Sequence, residues 1–471
     1  MGEGNYSMKT TVLATTLLLT LVAGAFAQTA GQLDAKMIGQ IQAKFDALGD
    51  QTAAINAVTN NDINSLSLNR DELIAHSKLF SVKLKAAGIT NQQGSGRCWL
   101  FAGLNTLSPG VMAKLKLSEF EFSQPYLTFW DKMEKANLFL EQIIDLRNAP
   151  IDDRKLVQIL NSPFGDGGWF RYVTDLMDKY GVVPLSAMPE TKQSINTGTI
   201  NYLADVRLKA DASELRSMAK SGKSVDQLRQ RKVDMLSDIY KLLVFAYGKP
   251  PKEFTFRYEA KDSTVVPPKT YTPMSFYHEF VTDKLPTYVT LMNNPSKDYD
   301  KTYQIDESRN MADKQPAILL NLPMNSLKQY CMKMLIDSQP VWFACDVGME
   351  HLRDSAILEA GIYEPSKVFG IDFNLSKADL IAYRESTPNH AMVLLGVDTT
   401  ADGKPLKWLV ENSWGATRGD KGYWYMYDNW FEQYAYFVII DKKYLSADDA
   451  RKLEQKPVQL PIWDPFYSAL R

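Results

Sequence analysis

The pattern of apolar and polar positions divides the chain into a helical first half and a strand-rich second half. Residues 28–60 are polar with scattered apolar positions, which predicts a helical lead-in. After a glycine-rich turn, Trp99, Leu100, Phe101, Leu104 and Leu107 recur at helical spacing. A second helix is predicted over 126–146, and another ends near Tyr180, before Gly181 and Pro184. Residues 205–246 again alternate charged and apolar positions at helical spacing. Beyond Lys249-Pro250-Pro251 the period changes to two. Phe254 to Tyr258 alternates aromatic and polar positions and predicts a strand, and Pro267-Pro268 predicts a turn. Between about 340 and 441 the predicted elements are strands, at 341–347, 391–398, 407–412, 422–427 and 436–440. The expected architecture is α+β, with a helical lobe and a strand-rich lobe meeting at a cleft.

The 471 residues exceed one ordinary domain, yet no low-complexity linker and no internal repeat cuts the chain. A net charge of −2 argues against binding nucleic acid through bulk electrostatics. The N-terminus adds a compartment. Lys9, the apolar stretch Val12 to Val22 and Ala25-Phe26-Ala27 before Gln28 have the layout of a secretory signal peptide. Met8 is an alternative start, since residues 1–7 place only polar clutter before the lysine. The competing reading is a membrane anchor, but the apolar run falls short of the roughly 18–20 residues that a bilayer demands. No cysteine follows the cleavage point, so no lipoprotein anchor is expected. The mature chain should start near Gln28, carry no membrane span, and be exported to the periplasm or secreted.

Three cysteines in a large exported chain do not make a disulfide framework. Cys331 shares a helical stripe with Leu327 and Leu335, and Cys345 lies in an apolar strand pattern with Val341, Phe343 and Val347. Both read as buried free thiols, with a bridge between them as the alternative. Cys98 is different. It follows Asn-Gln-Gln-Gly-Ser-Gly-Arg (91–97) and opens the apolar helix, where the macrodipole favours thiolate over thiol. Six residues upstream, Gln92 offers an amide donor that would hold the oxyanion of an attacked carbonyl together with the cysteine N–H. Gln93 is adjacent, and the six-residue offset selects Gln92. Pro-Asn-His-Ala-Met (388–392) and Val-Glu-Asn-Ser-Trp-Gly (410–415) supply His390 as a base and Asn412 to orient its imidazole. Trp414 would shield that hydrogen bond or simply pack in the core. The other histidines, His76, His278 and His351, sit in polar or amphipathic contexts and are expected to be solvated. No metal site and no cofactor motif is evident.

His390 and Asn412 follow Cys98 by 292 and 314 residues. Papain-like peptidases place these partners about 130–150 residues after the cysteine, so about 150 residues are inserted here. The stretch near 195–335 is the candidate. Phe-Ser-Gln-Pro-Tyr-Leu-Thr-Phe-Trp-Asp-Lys (122–132), Lys-Tyr-Gly-Val-Val-Pro (179–184), Val-Trp-Phe-Ala-Cys-Asp-Val-Gly (341–348) and Leu-Pro-Ile-Trp-Asp-Pro (460–465) complete the picture. With these motifs, the chain from about 70 to 471 resembles the bleomycin hydrolase / aminopeptidase C family of papain-like cysteine peptidases.

The resemblance implies a papain-like core with a large insertion, and a thiol aminopeptidase acting on small peptides. It also implies a homohexameric cage and a C-terminal arm lying in the cleft. Cys98, His390, Asn412 and Gln92 fall on the family's nucleophile, base, orienting residue and oxyanion donor. The expected divisions are a signal peptide (1–27), a lead-in and helical lobe (28–195), an inserted region (196–335), a strand-rich lobe (336–445) and the arm (446–471). Two features depart from the family. Its members end in a short apolar tail and are cytosolic, whereas this chain ends in Arg471 and carries a leader. Arg471 thus becomes a candidate gating residue. An exported endopeptidase and a catalytically silent assembly protein are the rival readings.

Overall fold

The computed structural model describes residues 1–2, 31–281 and 287–467, so the expected leader cleavage site and Arg471 lie outside the described residues. Two compact units are present, residues 1–66 and 67–471. The first carries two helices, Ala35–Asp46 and Thr52–Asn60, as the polar lead-in pattern predicts.

In the second unit the first long helices are Cys98–Leu115 and Gln124–Asp145. Local chemistry sets where they begin. Ser123 accepts the Tyr126 N–H at 3.2 Å and Pro125 occupies the first turn, where its missing N–H is harmless. The charged-apolar stretch forms two helices, Gly198–Lys220 and Val225–Tyr247. The second opens with a reciprocal capping box between Ser224 and Gln227.

The strands are β1 (Val82–Lys83), β2 (Phe254–Glu259), β3 (Val265–Tyr271), β4 (Tyr288–Met292), β5 (Lys301–Ile305), β6 (Leu319–Asn321) and β7 (Val341–Cys345). They continue with β8 (His351–Leu352), β9 (Ile357–Leu358), β10 (His390–Thr399), β11 (Pro405–Glu411), β12 (Tyr423–Tyr427), β13 (Ala435–Asp441) and β14 (Val458–Leu460). One large sheet runs β14-β5-β6-β4-β13-β7-β10-β11-β12-β9-β8, with β1 paired to β10. Its central strands β13, β7 and β10 are nearly continuously apolar, and they are buried on both faces. The Cys98–Leu115 helix packs on β10 and β7, and Met324–Ile336 packs on β13 and β10. Register then places His390 opposite Cys345, and Val393 opposite Glu411.

The inserted region is not a detached module. Its helices pack on Gln124–Asp145, while β4 pairs with β13 and so extends the central sheet. Pro267-Pro268 does not form the predicted turn. It lies inside β3, where the β2–β3 ladder carries a register irregularity, and the hairpin reverses at Lys261-Asp262-Ser263 instead. A missing N–H is tolerated at such an irregularity, and Ser263 supplies the positive φ of 63° that the reversal needs. Cys331 and Cys345 are both free and buried, so no bridge joins them. His278 is exposed as expected. His76 and His351 are half-buried, because His76 packs edge-on against Tyr425 at 4.9 Å and His351 accepts from Arg353 Nε at 2.7 Å.

Candidate active site

Cys98 is the first residue of its helix, and the loop before it is strapped to the segment after β11. Gln92 N donates to Ser413 O at 2.8 Å, Gly415 N donates to Thr90 O at 3.0 Å, and Asn91 forms an antiparallel bridge with Trp414. The approach is close enough to require glycine. A Cβ on Gly415, whose φ is +77°, would stand 2.7 Å from Asn91 Nδ2. On the opposite flank, Gly96 N donates to Asp166 Oδ2 at 2.8 Å and the Trp99 indole N–H donates to Asp166 O at 2.7 Å. Burial opposes ionisation of Asp166. The Lys132 ammonium at 2.8 Å and the donors on Thr197 and Gly96 nevertheless hold its carboxyl well below the usual range. Gly168 lies flush on the Trp99 indole, where a Cβ would come within 2.6 Å.

His390 opens β10, and Asn412 follows the last residue of β11. The His390 Nε2–Asn412 Oδ1 distance is 2.8 Å. Ser413 N donates to the same oxygen at 2.8 Å, which fixes it as an acceptor, so Nε2 carries the proton. That leaves Nδ1 of His390 with its lone pair. The Cys98 sulfur accepts the backbone N–H of Ala391, the residue after His390, which brings the thiol to the start of β10. The Trp414 ring lies 5.0 Å from the imidazole and is backed edge-on by Trp424 at 5.6 Å. Burial dominates the electrostatics. It pushes the Cys98 thiol up to about 11, against the donors on Ala391, Trp99 and Cys98 itself, and pushes His390 down to about 4. The helix N-terminus, which favours thiolate, acts against this desolvation.

The two glutamines separate cleanly. Gln92 is buried, while Gln93 is exposed with φ at +49°. Ser413 Oγ donates to Gln92 Oε1 at 2.6 Å, and Gln92 Nε2 donates to Ser95 O at 2.6 Å. The amide is thereby oriented, with one N–H beyond the internal bond. Ser95 Oγ donates to Gln92 O and accepts from Arg97 Nε, so the loop ties itself together.

Sequence reasoning missed three supporting groups. Ser413 belongs to the Glu-Asn-Ser-Trp-Gly motif, and nothing in that motif marks it as the group that orients Gln92. Asp166 lies within Gly165-Asp166-Gly167-Gly168, whose glycines mark the run only as a loop. The third is Glu411, fully buried in an apolar strand, and that oddity was itself a signal. Asn105, one face of the Cys98 helix, donates to Glu411 Oε1 at 2.5 Å and to Thr90 Oγ1 at 3.0 Å. This joins the helix to the strand that leads into Asn412.

Burial raises the Glu411 carboxyl to about 8 despite the Asn105 donor. The folded chain then holds a proton that the unfolded chain releases in the ordinary carboxylate range. Stability must fall as pH rises from about 5 to 8, by ~1.4 kcal/mol per pH unit from this group. Glu411→Gln should flatten that decline in denaturant unfolding at pH 5 and pH 8. A variant that declines in parallel with the parent would contradict the assignment.

Comparison with known proteins gives one consistent result. The model of the peptidase C1-like family matches residues 32–467. Aminopeptidase C of Streptococcus thermophilus is 37% identical over 428 residues, covering 90% of this chain and 96% of the relative. Aminopeptidase G of Lactobacillus delbrueckii subsp. lactis is 37% identical over 434 residues, covering 92% and 99%. The crystal structure of PepW from Lactobacillus rhamnosis aligns with a TM-score of 0.89 at 37% identity, covering 93% of this chain and 99% of that one.

Proposed function

This chain belongs to the peptidase C1-like family, in its bleomycin hydrolase / aminopeptidase C branch, and we propose that it removes N-terminal residues from peptides through a Cys98-His390-Asn412 mechanism. The observation that carries the proposal is the convergence of Cys98, His390 with its proton on Nε2, Asn412 and the oriented amide of Gln92. As Cys98 Sγ attacks the scissile carbonyl, its proton passes to His390 Nδ1. The oxyanion takes hydrogen bonds from the free N–H of Gln92 and from the Cys98 N–H. Collapse breaks the C–N bond, the imidazolium protonates the departing amine, and a thioester remains on Cys98. Water, deprotonated by His390, then attacks the thioester and releases a carboxylic acid and the thiol. Transfer of the proton from thiol to imidazole creates two opposite charges that stabilise each other in a water-poor site.

The arm supports restriction to the N-terminus. Phe466 packs on Tyr436 and Phe437 at 5.4 and 5.2 Å, and Phe437 in turn meets Trp169 at 4.9 Å, beside Gly168 and Trp99. Asp464 pairs with Lys297 at 3.0 Å. The arm is thus anchored as far as Tyr467 next to the loop that borders the nucleophile. We propose that the tail after Tyr467 restricts cleavage to the N-terminal residue. Export rests on the leader pattern alone. A hexamer rests on the family resemblance, with Phe369, Ile371, Phe373, Leu375 and Tyr383 exposed as apolar surface available to neighbouring copies.

Cleavage of free and N-blocked fluorogenic peptides tests the activity. The wild type should hydrolyse the free series preferentially, and Cys98→Ala should abolish turnover while keeping the folded spectrum. Turnover surviving in that variant would refute the assignment. Gln92→Ala should lower kcat by about 10²–10³-fold with KM little changed, because its bond strengthens only in the transition state. Gln93→Ala should stay near wild type, and the reverse ranking would move the oxyanion role to Gln93.

Removing residues 468–471 leaves the buried anchors Asp464 and Phe466 in place. That truncation should raise the rate on N-blocked peptides relative to free ones. An unchanged ratio would show that the tail does not gate the site.

A further inference from the structure

A cavity of about 690 Å³ opens directly beside the catalytic constellation, with Trp414 as its inner wall. The Trp414 ring also lies 5.0 Å from the imidazole, so the cavity shares a wall with the base. His390 must hand its proton to the departing amine, so the leaving part of the peptide passes out along the imidazole and its tryptophan screen. Asn91 and Gln93, which flank the oxyanion donor Gln92, form another wall.

The outer part of the cavity is lined by Arg353, Arg418 and Asp354. Both arginines are exposed, and neither guanidinium is ion-paired to a carboxylate among the described residues. Arg353 is held in place: its Nε donates to His351 Nε2 at 2.7 Å, and burial together with Arg353 itself keeps His351 below its ordinary range and so able to accept. That bond leaves the two terminal nitrogens of Arg353 as a fork. With one Asp against two Arg, the lining is net positive.

We propose that Arg353 and Arg418 form a carboxylate-binding subsite for the leaving part of the peptide, so that short peptides ending in a free carboxylate just past the scissile bond are the favoured substrates. The proposal rests on the aminopeptidase reading and deepens it. A planar fork that shares the cavity with a second guanidinium suits a carboxylate in geometry and charge. The carboxylate can come from the peptide C-terminus or from an acidic side chain next to the scissile bond, and the two sources are separable.

The test compares kcat/KM for di- and tripeptides carrying a free or an amidated C-terminus, and for an amidated pair differing only as Asp or Asn after the scissile bond. Each ratio is read within one enzyme, so any general loss of activity cancels. The wild type should prefer the free acids by about tenfold, as expected for a charge-assisted hydrogen bond. Raised salt should reduce the preference, and it should fall to within about twofold in Arg353→Gln/Arg418→Gln. A preference confined to the Asp–Asn pair would also support the subsite and identify a side chain as its ligand. Equal rates across both the acid–amide and the Asp–Asn pairs in the wild type, or an undiminished preference in the double variant, would overturn it. Hydrolysis of an aminoacyl arylamide, which has no carboxylate, separates the two readings. If wild type cleaves it in a thiol-dependent way while the acid preference is absent, only the subsite fails; if it is not cleaved, the aminopeptidase reading and the subsite fall together.

Discussion

Residues 90–92 and 413–415 lie antiparallel, and the hydrogen bonds between them hold the nucleophile loop against the strand pair that presents the base. Gln92 N to Ser413 O and Gly415 N to Thr90 O fix the backbones, Ser413 Oγ orients the Gln92 amide, and Asn105 reaches from the Cys98 helix to Glu411. Each such bond contributes only about 0.5–1.5 kcal/mol net, yet breaking one leaves a buried group unsatisfied at about 1–3 kcal/mol. Together they decide where the thiol meets the imidazole. The nucleophile and its partners are hundreds of residues apart in the chain, so nothing local holds them at the spacing chemistry needs.

Around that strap, burial sets the proton chemistry. Cys98, His390 and Asn412 are all nearly inaccessible, and desolvation pushes thiol and imidazole toward their neutral forms. Trp414 and Trp424 close the exposed side of the imidazole. In a site so desolvated, the charge that forms during attack depends on fixed donors. Gln92 and the helix N–H groups are those donors.

Much of this was legible in the sequence because the chemistry concentrates in short motifs. The Cys98 segment, Pro-Asn-His and Glu-Asn-Ser-Trp-Gly each carry side chains whose types are costly to bury without purpose. The strands 341–347, 391–398 and 436–440 announced themselves as apolar runs too continuous for a half-exposed sheet. What stayed hidden depends on three-dimensional neighbours. Ser413 and Asp166 look like ordinary loop residues until their partners at Gln92 and Lys132 are placed. The strands β4 to β6 are short, and their membership of the central sheet is fixed by pairing with β13, which no local period records. The balance between helix dipole and desolvation at Cys98 likewise depends on what covers the thiol. Pro267-Pro268 misled because proline marks turns and ladder irregularities alike.

We propose that the assembled site activates one thiol, Cys98, among the three free cysteines. A peptidyl chloromethyl ketone with a free amino group, followed by peptide mapping of the folded protein, addresses it directly. The expected result is a single adduct, on Cys98, that fails to form when His390 is replaced by alanine, with Cys331 and Cys345 unmodified. Labelling of Cys331 or Cys345 at a comparable rate, or undiminished labelling of Cys98 without the imidazole, would contradict it.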